Sequence, residues 1–145
     1  MTTTTPTVPA FASLREKIRW EKQQRATLHA QFADDWKAAA AAGCAAVAAF
    51  TPTTMVVRDH DGREWKVDSG PCGFARLEVR PRNSKFALWL LKEGIARSSD
   101  YHKCVYFSVS DYGQSMERKA TWAEAAAAYL IAKGYKGISS VSTLD

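Results

Sequence analysis

The sequence predicts an α+β domain in which an N-terminal helix or helix pair precedes a mixed β-sheet, with helices packed on one face of that sheet. Residues 9–50 place apolar side chains at mostly three- and four-residue steps, which is the period of a helix. Residues 51–145 then alternate between stretches of period two and stretches of helical period, in the order β-β-β-α-β-α-β. With 145 residues, 46% of them apolar, the chain is long enough to bury one core of ordinary size.

The N-terminal segment is the longest periodic stretch of the chain. Residues 1–8 are rich in threonine and are interpreted as a flexible tail, whereas Pro9 suits a first helical turn. An unbroken helix over residues 9–50 would be about 60 Å long, so we expect a break near Asp34–Asp35 or a partner. The apolar stripe of this segment is the predicted surface for a protein partner or for self-association. Its members toward the C-terminal end are Trp36, Gly43, Val47 and Phe50.

Residues 51–145 are predicted to form an α+β domain that folds by itself. Asp61-Gly62 between two alternating runs predicts a hairpin. Either Asn83 or Ser84 is the candidate cap of one helix, and Ser115 is the candidate cap of the next. The predicted segments cover residues 53–58, 63–68, 74–80, 84–94, 103–110, 115–133 and 137–143. The predicted inward side chains of the hairpin are Met55, Val57, Trp65 and Val67.

Charge and cysteine content exclude several classes of protein. The net charge of +5 is spread along the whole chain, so it favours a polyanionic partner only weakly. Three cysteines without short paired spacing are typical of reduced thiols rather than of a disulfide scaffold. The N-terminal residues form no apolar signal segment, and no long apolar run suggests a membrane span. We therefore expect a soluble protein with no membrane partner, located in the cytoplasm.

The densest basic cluster on a predicted strand follows the turn at Gly70. One interpretation of this cluster is a solvated outer face balanced by Glu78. The other is a phosphate-binding patch, because two of its cations leave one strand face and two lie at a helix start, where backbone N–H groups favour anions. The four residues of the cluster are Arg76, Arg80, Arg82 and Lys85.

Residues suited to catalysis or metal binding are present but scattered. Histidines, cysteines and aspartates at positions 59–61, 72, 102 and 104 lack the short paired spacing of zinc sites. His102 and Cys104 could in principle serve as base and nucleophile, but no third residue that would orient them can be identified. The sequence therefore predicts no catalytic residues, no metal site and no cofactor.

Several short motifs occur from Cys72 to the last residue. They are Cys72-Gly73-Phe74-Ala75, Asn83-Ser84 with Phe86, Gln114-Ser115 with Lys119, an alanine-rich helix ending in glycine, and Ser142-Thr143-Leu144-Asp145. In these motifs the C-terminal half of the chain resembles a group of small, uncharacterised proteins encoded by bacteriophages. Two positions depart from that resemblance, since Arg76 stands where an aromatic residue is common and Thr143 where an arginine is common. The resemblance implies an accessory role in a phage and no particular reaction.

The leading hypothesis is thus a non-enzymatic accessory protein that binds a protein partner, either as a virion component or as a modulator of a host or defence protein. It would act in the host cytoplasm or in the virion. A nucleic-acid-binding protein that uses the basic patch Arg76–Lys85 is the alternative hypothesis. A small thiol- or metal-dependent enzyme is the third.

Overall fold

The computed structural model describes residues 7–145 as an α+β fold with a long N-terminal helix, which confirms the predicted class. Residues 1–6, most of the predicted tail, lie outside the described residues. The elements are α1 (Leu14–Ala48), β1 (Met55–Arg58), β2 (Glu64–Val67), β3 (Gly73–Val79), α2 (Lys85–Lys92), β4 (Arg97–Ser99), β5 (Cys104–Ser108), α3 (Met116–Ala132) and β6 (Ile138–Leu144).

The strands form two sheets rather than the predicted single mixed sheet. Strands β1 and β2 make a separate antiparallel hairpin, and the other four strands are ordered β4-β5-β3-β6. All neighbours in the four-stranded sheet are antiparallel. The hairpin cannot extend this sheet at β3, because β5 and β6 already occupy both sides of that strand. The short strand β4 was not predicted.

From β3 onward the chain follows a β-α-β-β-α-β path, the split β-α-β arrangement. Its two central strands are β3 and β5, and its edges are β4 and β6. In this arrangement the helices cover one face of the sheet and leave the other face without helical cover. The residues on that second face therefore determine what the sheet can bind.

Helix α1 is a single helix of 35 residues without the expected break. It begins at Leu14, and the Ser13 hydroxyl accepts a hydrogen bond from the Glu16 N–H at 3.3 Å, so the start lies after the predicted position near Pro9. Asp35 does not interrupt the helix, because its buried carboxylate accepts a hydrogen bond from the Tyr135 hydroxyl at 2.7 Å. That bond satisfies the polar group that would otherwise oppose burial.

Aromatic contacts place all three helices on the same side of the sheet. The Phe32 ring of α1 contacts Phe86 and Trp89 of α2, at centroid distances of 5.3 and 5.9 Å. Further along α1, the Trp36 ring lies 5.1 Å from Phe107 of β5. Phe107 in turn lies 5.2 Å from Trp122 of α3. Helix α1 therefore forms one wall of the core, and this packing argues against independent folding of residues 51–145.

The hairpin contributes little to this core. Met55, Val57 and Val67 are half-buried, and Trp65, which was predicted to face inward, is 49% exposed. The segment before the hairpin is held by a hydrogen bond of 2.6 Å from the Thr53 N–H to the Glu117 carboxylate. The hairpin is thus attached to the start of α3 and does not belong to the main sheet.

Candidate functional site

The face of the four-stranded sheet that points away from the helices is the candidate site. Leu77 of β3 pairs with Phe107, which contacts the helices, so these two side chains lie on the covered face. Because side chains alternate along a strand, the neighbouring residues point to the other face. We call this the outer face. Its side chains from the two central strands are Phe74, Arg76, Glu78, Cys104, Tyr106 and Ser108.

A buried carboxylate holds two arginines at the middle of the outer face. The side chain of Glu78 is only 3% exposed, and one of its oxygens accepts a hydrogen bond from Arg76 Nε at 3.1 Å. Arg80 Nη2 lies 2.9 Å from the other oxygen, and the same nitrogen donates to the backbone oxygen of His102 at 2.9 Å. Arg76 and Arg80 remain 25% and 44% exposed. The anion is therefore covered while both cations still reach solvent.

The surroundings of Glu78 keep it ionised. Burial raises the pKa of this carboxyl group, but hydrogen bonds from Arg76, Cys104 and Arg80 together outweigh burial, so the pKa lies below its ordinary value. A paired carboxylate of this kind fixes the position of its guanidinium partners. Arg76 and Arg80 are thus pre-positioned on the strand instead of sampling many rotamers.

The other two cations of the predicted cluster are placed differently. Arg82 Nη1 lies 2.6 Å from Asp100, whose side chain is fully exposed, so this pair is locally neutral. Lys85 is exposed at the first residue of α2. Only Arg76 and Arg80 of the four meet on one surface. Arg97 joins them there, since it pairs across the sheet with Tyr106, which pairs with Glu78.

Phe74 adds an exposed aromatic ring to the outer face. Its exposed fraction is 55%, and the ammonium group of Lys119 lies 5.4 Å from the ring centroid. An open depression of about 320 Å³ lies beside the ring. Its lining residues are Phe74, Ala75, Arg76, Ser108, Val109, Val141 and Thr143. A planar apolar group can therefore approach Phe74 next to a guanidinium.

The sequence predicts that Arg76 and Arg80 lie on the outward side of a strand. Phe74 lies on the same side, because it is an even number of positions away from both arginines, but it is not among the predicted site residues. Alternation along β3 alone would have put Phe74 beside Arg76. Arg97 and Tyr106 carried no comparable signal, because their position on this face depends on the pairing of β4 with β5.

The residues predicted to bind a protein partner through the stripe of α1 lie against the protein's own core. Gly43 and Val47 are buried, and Trp36 and Phe50 are half-buried. A Cβ atom at Gly43 would lie 2.7 Å from the indole of Trp122, so the close approach expected at this glycine is made by α3. The stripe therefore offers little free surface over this stretch.

Two of the candidate thiol and metal residues, Cys104 and His102, lie beside the ion-paired groups of the outer face. Burial and the nearby Glu78 carboxylate raise the pKa of the Cys104 thiol, which keeps it protonated and unreactive. His102 is exposed, with Nε2 3.4 Å from Arg76 Nη2. In the part of the chain that the structure describes, no three His, Cys, Asp or Glu side chains are grouped to hold a metal ion.

The chain matches no protein-family model, no curated protein and no solved structure. Over residues 7–145 no helix is both long and apolar enough to cross a membrane. The resemblance to phage proteins, and the accessory role that it implies, stay predictions.

Proposed function

We propose that the outer face of the four-stranded sheet binds a single-stranded nucleic acid. The observation that supports this proposal is the exposed Phe74 ring on a central strand, beside the Arg76 guanidinium. The buried Glu78 carboxylate holds Arg76 in place, together with Arg80 further along the chain. Single-stranded nucleic acids are bound by aromatic rings that stack on bases and by cations that contact the phosphates. The outer face combines both groups on a rigid antiparallel sheet.

The charges of the outer face favour an anion despite the presence of Glu78. Arg76, Arg80 and Arg97 supply three cations, and Glu78 supplies one carboxylate on a side chain that is only 3% exposed. A phosphate approaching from solvent therefore meets the guanidinium groups and not the carboxylate. Arginine also stacks on bases through its planar face, so the same side chains can serve both parts of a nucleotide.

The depression beside Phe74 has the size of a small-ligand site. Pockets that hold small molecules usually measure about 300–1,000 Å³, and the depression of about 320 Å³ lies at the lower end of that range. Ser108 and Thr143 on its wall can exchange hydrogen bonds with a base edge. One base stacked on Phe74, with its phosphate near Arg76, would occupy this space.

Binding of fluorescein-labelled oligo(dT) and oligo(U), measured by fluorescence anisotropy over a salt series, tests the proposal. We expect binding at low salt that weakens steeply as salt is added, because counterions are released from the phosphates. Phe74→Ala should weaken binding by about 5- to 150-fold, since a base–aromatic stack is worth ~1–3 kcal/mol. The two oligonucleotides separate a preference for DNA from one for RNA.

Matched controls come from α2, on the other side of the sheet. Leu88 is an exposed apolar residue like Phe74, with an exposed fraction of 52%, and Lys92 is an exposed cation like Arg80. Leu88→Ala and Lys92→Ala should leave affinity nearly unchanged. Arg80→Ala should weaken binding and lower the log–log salt slope by about 0.7 for each lost phosphate contact.

Two results would contradict the proposal. One is no binding of either oligonucleotide by the wild-type protein at low salt, where electrostatic attraction is strongest. The other is an equal loss of affinity in Phe74→Ala and Leu88→Ala at unchanged melting temperature. The first result would leave the basic cluster as a solvated face. The second would show that bases do not stack on Phe74.

Binding of a protein partner, the leading hypothesis from sequence, remains a prediction. Its main support was a free apolar stripe on α1, and the packing of Gly43 and Val47 against the core weakens that support. The bacteriophage context likewise remains a prediction. For these reasons we favour nucleic-acid binding over the binding of a protein partner.

A further inference from the structure

Strand β6 lies at an edge of the four-stranded sheet and lacks the features that prevent an edge strand from pairing. It covers seven residues, Ile138–Leu144, and contains neither a charged residue nor a proline. The opposite edge, β4, has only three residues and begins at the exposed Arg97. Short or charged edges block the addition of another strand, whereas a long uncharged edge permits it. Within residues 7–145, no strand pairs with the free side of β6.

The backbone of β6 presents a regular set of hydrogen-bonding groups to this free side. The Asp145 N–H donates to the Cys72 oxygen at 3.1 Å, and the Arg80 N–H donates to the Gly137 oxygen at 2.9 Å. Hydrogen-bonded pairs recur at every second residue of an antiparallel ladder. In the register of β3 with β6, the odd-numbered residues of β6 therefore bond to β3. The N–H and C=O groups of its even-numbered residues point to the free side.

The sequence of β6 is chemically symmetric about Val141. Equivalent side chains stand at equal distances on either side of this residue, and the matching pairs are Ile138 with Leu144, Ser139 with Thr143, and Ser140 with Ser142. Two such strands related by a two-fold axis through Val141 would place each residue opposite a similar one. The hydrogen-bonded pairs of that register are formed by the even-numbered residues, whose backbone groups are free. The symmetry of the side chains and the positions of the free backbone groups therefore favour the same register.

We propose that the free edge of β6 pairs with the β6 strand of a second copy of this chain, joining two four-stranded sheets across a two-fold axis. A two-fold interface requires a self-complementary surface, and β6 provides one. Apolar pairs and Ser/Thr pairs directly opposite each other stabilise antiparallel strands. Leu144, which is 67% exposed in the single chain, would gain Ile138 of the second copy as a neighbour. The proposal is independent of nucleic-acid binding.

Glu124 of α3 is a feature that opposes this dimer. It is exposed and lines the narrow groove between α3 and β6 beside Ser140 and Ser142. Pairing about Val141 brings the Glu124 carboxylates of the two copies toward the axis, where like charges repel. Glu124→Gln should therefore strengthen the dimer at low salt.

Sedimentation equilibrium of the full chain over a wide concentration range tests the proposal. We expect the mass to rise from 16.0 kDa toward twice that value as the concentration increases. Val141 would be opposite itself across the axis, so Val141→Lys places two ammonium groups together and should give a monomer. Val141→Glu should also give a monomer. An equimolar mixture of the two variants should dimerise again, because each lysine then faces a glutamate.

The mixture separates an effect on pairing from an effect on folding, since a damaged monomer is not repaired by a second damaged monomer. Ser98→Lys on the opposite edge strand is the matched control and should leave the dimer intact. The proposal is overturned if the wild-type chain is monomeric at all concentrations. It is also overturned if the mixed Val141 variants stay monomeric, or if Ser98→Lys disrupts the dimer as strongly as Val141→Lys does.

Discussion

Side chains of the same strands are buried in different ways on the two faces of the four-stranded sheet. On the covered face, apolar side chains such as Leu77 and Val105 are fully buried beneath the helices. On the outer face, Glu78 and Cys104 are also buried. The groups that contact the Glu78 carboxylate there are the side chains of Arg76 and Arg80 and not a helix. Burial therefore has two causes in this molecule. One face excludes water by helix packing, and the other does so by a small ion-paired network.

The polar outer face can be rigid without a covering helix, because its charged groups hold one another in place. Glu78 receives charge-assisted hydrogen bonds from both sides, and such bonds are about twice as strong as neutral ones. They order Arg76 and Arg80 without removing them from solvent. A surface of this kind can present cations in defined positions, whereas the covered face contributes mainly to stability.

The largest expected effect concerns the covered face. A chain that begins at Thr51 lacks α1 and leaves the partners of Phe32 and Trp36 exposed, so we expect it to be unfolded at room temperature. Burial of Phe32 and Val47 alone is worth ~1.5–3 kcal/mol each, against a total stability of about 5–15 kcal/mol for a typical domain. Near-ultraviolet circular dichroism and thermal melting measure the outcome.

A chain that begins at Ala26 is the matched control for this truncation. It removes the largely exposed start of α1 but keeps every buried residue of that helix, so its melting temperature should stay close to that of the full chain. Cooperative melting of the Thr51 fragment would instead restore the sequence-based expectation that residues 51–145 fold alone.

A smaller effect is expected at the buried anion of the outer face. Glu78→Gln should destabilise the protein by about 1.5–3 kcal/mol near neutral pH, the usual worth of hydrogen bonds to a charged group. Because the folded-state pKa of Glu78 lies below its ordinary value of 4.5, the carboxylate stabilises the fold above that pH. This stabilisation is lost as the pH falls through the folded-state pKa.

Urea unfolding at several pH values compares Glu78→Gln with the wild-type protein. The variant should show a shallower loss of stability between neutral and acidic pH. Glu64→Gln is the control, since Glu64 pairs with Arg58 on the exposed hairpin and should change stability by less than ~0.5 kcal/mol. Identical pH profiles for wild type and Glu78→Gln would show that the ion-paired network does not stabilise the outer face.

The smallest effect is expected at the edge of the basic cluster. Arg82 pairs with Asp100, whose side chain is fully exposed, and exposed pairs of this kind contribute little. Arg82→Ala should therefore leave the melting temperature unchanged within error in a thermal scan. A decrease as large as that of Glu78→Gln would mean that the ordered network extends beyond Glu78 to this pair.

Local structure could be predicted well because its causes are local. Of the two cap candidates for α2, Ser84 is the cap and Asn83 is not, and Ser115 caps α3 as predicted. Their hydroxyls accept hydrogen bonds from the Ala87 and Arg118 N–H groups at 3.2 and 3.4 Å. Gly94 has a positive φ of 70° after α2, as expected of a glycine that ends a helix. The outward placement of Arg76 and Arg80 also needed only the alternation of one strand.

The candidate site could be predicted only in part because it combines strands that are distant in sequence. Arg80 reaches the backbone of His102, 22 residues further along the chain, and Arg82 finds Asp100 across a similar gap. No period within one segment reports such pairs. The sequence therefore predicted a basic cluster of four residues, while the structure divides it into an ordered pair, a neutralised arginine and a separate lysine.

The α+β class, most helices and strands, and the caps of α2 and α3 follow from the amino-acid sequence alone, since these depend on side chains within a few residues. Tertiary structure decided which strands are neighbours and which face the helices cover. It also decided that α1 stays unbroken, because the buried Asp35 finds the Tyr135 hydroxyl 100 residues away. Such contacts depend on the free energy of packing the whole chain, which no single segment contains.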